Sequence, residues 1–289
     1  MARCILLFLI LLVTMCLLCG CENWKIHDSR NTAENHGRYG NIYEISEFLD
    51  AEQYERYMND DGTRYDKLRN AKYQFDNASE FELYSYANNF IEIIGVDIPD
   101  DCIVNHGTEY ESDSKYEIDG EKIIATEAIQ VSENFFTPFP MQLLSGRCFE
   151  SIDFQERGEG VIPVILGNAY RDTFDLGDTF EGYYICERRT FEVIGFVKQG
   201  SVFYSKGNNS MTEYERYIIM PFENVAHDSY SARAVLLQQI CGFIEPESSR
   251  DAALLAVRRI LTEVGLEDWT DMICKNKKSV QDKLDGSIK

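Results

Sequence analysis

The clearest pattern of apolar and polar positions lies in the middle of the chain. Residues 161–166 form an apolar run that predicts a buried strand, and the polar residues 168–174 that follow suit one short helix. Residues 181–186 and 190–197 are two further strand-like segments with only three charged residues between them. The pattern therefore predicts a small module that mixes helix and strand.

The segment before this module predicts helices followed by strands. Residues 43–77 favour one or two helices, because four apolar residues share one helical face: Tyr65, Leu68, Ala71 and Phe75. Residues 81–87 and 90–96 predict two strands that pair across the two asparagines between them. Residues 121–131 predict a strand that leads into the central module.

Two strands are predicted after the central module. Residues 217–220 are short and apolar, and Pro221 is expected to end this strand because proline has no N–H to donate to a sheet. Residues 234–244 predict another strand, interrupted at Gly242.

A helix follows these strands and closes the predicted fold. Ser248 or Ser249 can cap it, and Gly265 is expected to end it. Its apolar side consists of Ala253, Val257, Ile260, Leu261 and Val264. The final residues, 275–289, are polar and are expected to fray.

Five short pieces, read in their order along the chain, resemble a known family. They are Val131-Ser132 with Asn134-Phe135-Phe136, Gly146-Arg147 before Phe149, residues 163–167, Leu176-Gly177-Asp178, and residues 191–196. This succession is similar to the extracytoplasmic core domain of MacB/FtsX-type ABC transporter permeases. The pieces span about a quarter of the chain.

The predicted fold class is α+β, with sheets covered by helices on one side. The resemblance implies two subdomains: a discontinuous one from residues 22–135 and 216–289, and an inserted β-rich module at residues 136–215. A permease of this family would have three membrane helices at its C-terminus, and no second apolar run follows the final helix here. Two alternatives follow: permease helices and ATPase are supplied by other chains, or the sequence is a fragment of a longer permease. The resemblance implies no catalytic residue.

The first 21 residues predict a signal or anchor segment. Residues 5–18 contain no charge, and residues 4–20 would span roughly 25 Å as a helix, a little less than a bilayer core. The sequence Leu18-Cys19-Gly20-Cys21 resembles a bacterial lipobox, which makes Cys21 a lipidation candidate. An uncleaved anchor helix is the alternative. Both predict a membrane tether, with the rest of the chain outside the cytoplasm.

Composition narrows the classes of partner. The 289 residues are 44% hydrophobic and 27% charged, which is typical of a globular chain. Acidic residues number 49 against 28 basic ones, a net charge of −21. Because such a surface repels phosphate backbones, nucleic acid is not expected as a partner.

Motifs for catalysis, metals and cofactors are missing from the sequence. It lacks nucleophile-elbow, zinc-protease, P-loop and dinucleotide patterns, and the acidic stretch 97–120 lacks the oxygen spacing of a calcium loop. Five cysteines follow the leader at irregular spacings and are expected to be mostly buried thiols. Cys148 with His106 or His227 is the one nucleophile and base combination considered, and Cys148 is expected in the core.

The leading hypothesis is a membrane-tethered, extracytoplasmic, non-catalytic domain without a cofactor. By resemblance it would contact partners or couple mechanically in an ABC export system. The alternative is a free-standing surface lipoprotein that binds an envelope ligand or small molecule. A secreted hydrolase is a third hypothesis, which needs a pocket that gathers one of the two histidines with Cys148 or a carboxylate.

Overall fold

The computed structural model describes residues 39–47, 49–59, 62–155, 160–185, 187–205, 210–266 and 279–287. The leader with Cys21, and also Cys186 and Cys274, lie outside these ranges. The chain divides into two compact units. The first comprises residues 1–83, 204–211 and 228–289, and the second comprises residues 84–203 and 212–227. Helices and strands are mixed in the chain, which confirms the predicted α+β class.

The described helices and strands follow one another along the chain. They are β1 (Tyr43–Ile45), α1 (Ala51–Met58), α2 (Arg64–Asp76), β2 (Phe81–Ile94), β3 (Lys115–Ile118), β4 (Glu121–Val131), β5 (Leu143–Gly146), β6 (Ile162–Leu166), β7 (Thr179–Tyr184), β8 (Glu187–Val197), β9 (Val202–Ser205), β10 (Ser210–Glu213), β11 (Ile218–Pro221), α3 (Tyr230–Gln239), β12 (Gly242–Pro246), α4 (Arg250–Glu263) and α5 (Val280–Ser287). Short 3₁₀ helices connect several of them, including Asp100–Cys102, Ser151–Phe154 and Asn168–Asp172.

The first unit is built mainly of helices. Strand β1 pairs with β12 in antiparallel register, and α4 packs on β12. Helix α2 packs on α3 and on α4 through the predicted apolar face, in which Leu68 and Ala71 are fully buried. Ser249 caps α4 by accepting a hydrogen bond from the Ala252 backbone at 3.2 Å, so the helix begins where the sequence predicted.

The second unit contains a closed ring of six strands. Strand β2 pairs with β4 and with β7, and β7 pairs with β8. Strand β8 runs parallel to β6, β6 pairs with β11, and β11 runs parallel to β4, which completes the ring. Strands β3 and β5 add to β4 and β8. The bounds of β4 equal the predicted residues 121–131, and β6, β7 and β8 lie within a few residues of their predictions.

The prediction of two strands at residues 81–87 and 90–96 is wrong. Strand β2 runs without interruption from Phe81 to Ile94, and Asn88 and Asn89 pair in register with Ile129 and Ala128 of β4. The amide of Asn89 donates to the side chains of two strand residues, Gln130 at 3.3 Å and Tyr184 at 3.2 Å. Because these bonds satisfy its polar group within the sheet, the asparagine extends the strand instead of turning it.

The prediction of a strand at residues 234–244 is also wrong in its first half. Residues 230–239 form helix α3, and only Gly242–Pro246 is a strand. Ser229 starts the helix by accepting a hydrogen bond from the Ala232 backbone at 3.0 Å. The apolar run in this helix is buried on several sides, and such a run does not show the periodicity that separates a helix from a strand.

Strand β11 ends at Pro221, as predicted, and the proline lies opposite Val131. Two smaller expectations need correction. Residues 43–45 form strand β1 and not the start of a helix. The C-terminal residues 280–287 form helix α5 and are not frayed in the part that the structure describes.

Helix α5 is held to the first unit by specific contacts. Ser279 and Asp282 exchange backbone and side-chain hydrogen bonds of 3.0 and 3.1 Å at its start. Val280 is fully buried, and Lys283 forms an ion pair with Glu44 of β1. These contacts explain why a polar sequence remains ordered.

The described residues include no helix long and apolar enough to cross a membrane. The predicted boundaries of the inserted module, at Phe136 and Glu215, both lie inside the second unit. They stay a prediction.

Candidate interaction surface

Gly146 marks a close approach between β5 and β8. A Cβ atom at this position would lie 2.2 Å from the carbonyl oxygen of Ile194 and 2.6 Å from the Cα atom of Gly195. The residue also has a φ of +84°, which side chains rarely tolerate. Only glycine fits here, so the Gly146-Arg147 piece of the sequence has a structural cause.

Arg147 fixes the chain immediately after this approach. Its guanidinium contacts the Asp153 carboxylate through two hydrogen bonds of 2.5 and 3.2 Å. Asp153 is buried, and it also accepts a hydrogen bond from the Glu150 backbone at 2.8 Å. A bidentate pair of this kind holds a fixed geometry. The 3₁₀ helix Ser151–Phe154 is therefore anchored to the end of β5.

The Leu176-Gly177-Asp178 piece forms the turn that leads into β7. The Asp178 carboxylate accepts a hydrogen bond from the Asp175 backbone at 2.8 Å. The backbone of Gly177 donates to Val193 at 2.8 Å, and Val193 donates back to Asp178 at 2.9 Å. The turn is thus tied to β8, and it presents Leu176 to solvent with 47% of its surface exposed.

The Val131-Ser132 piece connects β4 to an aromatic cluster. Ser132 accepts a hydrogen bond from the Ser85 backbone at 3.0 Å and donates one to the Asn134 side chain at 2.6 Å. Phe135 is fully buried and stacks on Tyr86 with a ring separation of 5.5 Å. Like the glycine and turn pieces, this one stabilises the fold and presents no reactive group.

An open pocket of about 370 Å³ lies between β5, β8 and the turn. It is lined by Ser145, Arg171, Phe174, Asp175, Leu176 and Phe196. Leu144, next to Ser145, is 45% exposed. We call Leu144, Leu176 and these lining residues the β5–turn surface. Its exposed apolar side chains are Leu144 and Leu176, and exposed leucines of this kind suit contact with another molecule.

A hydrogen-bonded cluster behind β4 is closed to solvent. The Thr126 hydroxyl donates to the Cys102 carbonyl at 2.7 Å and shares a hydrogen bond with the Tyr170 hydroxyl, which also contacts the Arg216 carbonyl at 3.0 Å. Burial raises the pKa of the Cys102 thiol to about 12. The thiol stays protonated at neutral pH and is therefore a poor nucleophile.

Glu127 is an acidic residue in the middle of β4, between Thr126 and Ala128. It lies half-buried on β4, opposite Phe90 of β2. Burial raises the pKa of its carboxyl to about 7, and the charge of Arg216 opposes part of this rise. The sequence analysis did not single out Glu127. The only sequence signal for it is a carboxylate between the apolar residues 123–125 and 128–129 of the predicted strand.

Replacing Glu127 with glutamine is expected to stabilise the protein at high pH. Because the folded-state pKa lies above the unfolded value, folding favours the protonated acid, and stability falls as the pH rises from about 4.5 to about 7. Above this range the free energy of unfolding of Glu127→Gln should exceed that of the parent by on the order of 1–2 kcal/mol. The difference is modest because solvent reaches part of the site. Urea unfolding between pH 4.5 and pH 8 measures the difference.

The control for this prediction is an exposed carboxylate. Glu117 lies exposed on β3, so Glu117→Gln should leave the pH profile of the parent unchanged. An identical pH profile for parent and Glu127→Gln would show that burial does not raise this pKa.

The predicted reactive residues do not form a site. Cys148 is exposed, so its expected place in the core is wrong, and it forms no disulfide with another described cysteine. Cys102 and Cys241 are buried thiols, as expected for most of them. His106 contacts Glu111 at 3.0 Å, and His227 lies exposed in a loop.

A metal site and a lipidation site are the two remaining kinds of site. Within the described ranges, no group of three or more histidine, cysteine, aspartate or glutamate residues could hold a metal ion. The lipidation candidate, Cys21, falls in the leader, to which the structural description does not extend.

Comparison with known families shows the family to which the chain belongs. A model described as the MacB-like periplasmic core domain matches residues 53–260. The chain belongs to this family. The match includes all five of the short pieces, so the MacB-like resemblance seen in the sequence is confirmed. The second unit and much of the first therefore lie within a MacB-like periplasmic core domain.

Solved structures also match the chain at low sequence identity. The periplasmic region of MacB from Actinobacillus actinomycetemcomitans is 12% identical, with a TM-score of 0.42, and the alignment covers 85% of this chain and 96% of that one. The extracellular domain of the noncanonic ABC-type transporter YknZ from Gram-positive bacteria is also 12% identical, with a TM-score of 0.38 and coverage of 78% and 95%. No curated protein matches the chain.

Proposed function

We propose that this chain is a membrane-tethered, extracytoplasmic, non-catalytic domain that works in an ABC transporter system. The observation that carries this proposal is the MacB-like periplasmic core domain match over residues 53–260. The apolar run at residues 4–20 supplies the tether, and permease and ATPase subunits on other chains are the partners. Residues 136–215 are the inserted module of this arrangement.

The geometry of the second unit supports contact and not catalysis. Its family-typical residues form close approaches, an ion pair and a turn, all of which fix the shape of the chain. The β5–turn surface that they hold exposes Leu144 and Leu176 beside an open pocket. We propose this surface as the one that contacts a transporter partner.

Two experiments on the full chain test the function. Alkaline phosphatase fused after Lys289 should be active, because the enzyme folds only where disulfides form, outside the cytoplasm. Cross-linking in native cells, followed by purification and mass spectrometry, should recover ABC permease or ATPase subunits. An inactive fusion, or the absence of any ABC subunit, would overturn the proposal.

The proposed contact surface is tested by one charged substitution. Leu176→Asp should reduce the recovery of ABC subunits at least several-fold, because burying an unpaired carboxylate in an apolar interface is costly. Ile152→Asp introduces the same charge at an exposed apolar residue outside the β5–turn surface and should leave the recovery unchanged. Equal recovery with Leu176→Asp would place the contact elsewhere.

A free-standing surface lipoprotein is the second candidate, which the sequence Leu18-Cys19-Gly20-Cys21 favours. Cells that express the chain can be fed a palmitate analogue and compared with cells that express Cys21→Ala. Label that is lost in the variant supports lipidation at Cys21. No label in either chain supports an uncleaved anchor helix.

A further inference from the structure

Two helices of the first unit carry the most exposed large apolar side chains in the described part of the chain. Tyr73 on α2 is 68% exposed, and Leu255 on α4 is 70% exposed. Each lies on the side of its helix that faces away from the buried residues. Helices α2 and α4 contact each other. We call their two outer sides together the α2–α4 face, formed by Arg69, Tyr73, Leu255, Arg258 and Arg259.

The charge of these two helices is opposite to that of the chain. Together α2 and α4 contain seven basic and four acidic residues, whereas the whole chain contains 28 basic and 49 acidic residues. Three ion pairs neutralise charges of both signs: Asp76 pairs with Lys72, Asp251 pairs with Arg250, and Arg259 pairs with Glu80. Four basic and two acidic residues of the two helices lie outside these pairs. The helices thus form a positive region on a strongly acidic protein.

Two arginines of the α2–α4 face are available to an anionic partner. Neither Arg69 nor Arg258 has a carboxylate within ion-pair distance among the residues described, and Arg69 lies over the Tyr65 ring at 5.6 Å. Exposed arginine beside an exposed aromatic and an exposed aliphatic side chain is the composition of helices that lie on a membrane surface. Anionic headgroups are the partner that this charge fits.

The length of the N-terminal segment limits how far the first described residue can lie from a membrane. The apolar run ends at residue 20, and the first described residue of the first unit is Tyr39. The 18 residues between them can span at most about 65 Å, whatever their conformation. Tyr39, where the described part of the first unit begins, therefore stays within this distance of the bilayer that holds the proposed tether.

We propose that the α2–α4 face docks on the anionic headgroups of the membrane that carries the N-terminal tether. The arginines contact lipid phosphates, and Tyr73 and Leu255 enter the headgroup region. The proposal rests on the tether in the proposed function and adds a second membrane contact through the folded domain. An acidic protein is the other partner that this charge fits, and vesicles that contain no other protein distinguish it from lipid.

The test uses the full chain reconstituted into vesicles, with Trp24 and Trp269 replaced by phenylalanine in every version. Tyr73→Trp then adds one fluorescent reporter to the α2–α4 face. Lipids brominated near the headgroup should quench this tryptophan in phosphatidylcholine vesicles that contain phosphatidylglycerol. Quenching should be several-fold weaker in pure phosphatidylcholine and should fall as salt is added.

Matched variants distinguish docking of the α2–α4 face from nonspecific electrostatic attraction of the protein to the vesicles. Leu176→Trp places the reporter on the second unit and should show little quenching. Arg69→Glu combined with Arg258→Glu should lower the ratio of docked to undocked protein by about thirty-fold or more, since each basic residue contributes about 1 kcal/mol at an anionic surface. Arg171→Glu combined with Lys198→Glu changes the net charge equally in the second unit and should leave the quenching unchanged.

The tether and the face are distinguished by flotation. Flotation with pure phosphatidylcholine vesicles at high salt reports the tether alone. A chain that floats but shows no quenching of the Tyr73→Trp reporter overturns the docking proposal and leaves the tether intact. If the chain does not float, the tether hypothesis is wrong. In that case, quenching of the Tyr73→Trp reporter by added phosphatidylglycerol vesicles still tests whether the α2–α4 face binds lipid.

Discussion

Replacing Gly146 with alanine is expected to destabilise the protein by on the order of 3–5 kcal/mol. Two costs add at this position. A φ of +84° is unfavourable for alanine by about 1–2 kcal/mol, and the new Cβ atom would lie 2.2 Å from the Ile194 carbonyl oxygen. Because this neighbour is backbone in a paired strand, it moves only if β5 separates from β8. Urea unfolding of parent and variant measures the loss.

Gly177 provides the matched control for this prediction. Its φ of +86° is almost the same, but an added Cβ atom would meet nothing within 4 Å. Gly177→Ala should therefore carry only the conformational cost, about 1–2 kcal/mol. If both variants lose the same stability, the close approach of β5 to β8 contributes nothing measurable. A larger loss for Gly146→Ala supports the steric cause.

Elements with a clear local signal could be predicted from the sequence. Strand β4 is rich in isoleucine and bounded by a turn, and its limits match the prediction at both ends. Helix α4 has a serine cap, a regular apolar side and a glycine with positive φ shortly after its end. In both cases, local preference and tertiary packing favour the same conformation.

The errors occurred where distant contacts decide the local structure. Asn88 and Asn89 have the residue type of a turn, but their register partners on β4 keep β2 extended. Likewise, the C-terminal residues look polar and unstructured, but Glu44 lies 239 residues earlier in the chain and pairs with Lys283. No window of sequence contains both members of such a pair.

The candidate surface could be predicted only in part. The pieces Gly146-Arg147 and Leu176-Gly177-Asp178 lie at the β5–turn surface, and their glycines and aspartate have strict backbone roles. The exposure of Leu144 and Leu176 depends on how β5 and the turn meet β8, which sequence spacing does not specify. The motif residues are therefore visible in the sequence, whereas the exposed side chains of the proposed surface are not.

Replacing Lys283 with methionine is expected to cost about 3–5 kcal/mol and to loosen α5. The side chains of Lys283 and Glu44 are each only 10% exposed and form an ion pair. Removing the lysine leaves a carboxylate that is largely shielded from water, with the Ser46 hydroxyl at 2.8 Å as a hydrogen-bond donor. Urea unfolding should show the loss, and hydrogen exchange in residues 279–287 should accelerate.

Two controls separate the buried charge from the loss of packing. Adding Glu44→Gln to Lys283→Met removes the unpaired charge and should recover much of the lost stability. Lys122→Met breaks an ion pair with Asp97 in which both side chains are more than half exposed, so it should cost less than about 1 kcal/mol. Equal losses for Lys283→Met and Lys122→Met would mean that water reaches Glu44, and that α5 is not held by this pair. Unequal losses, with recovery in the double variant, would show that a polar C-terminal segment is ordered by one ion pair to the first strand of the fold.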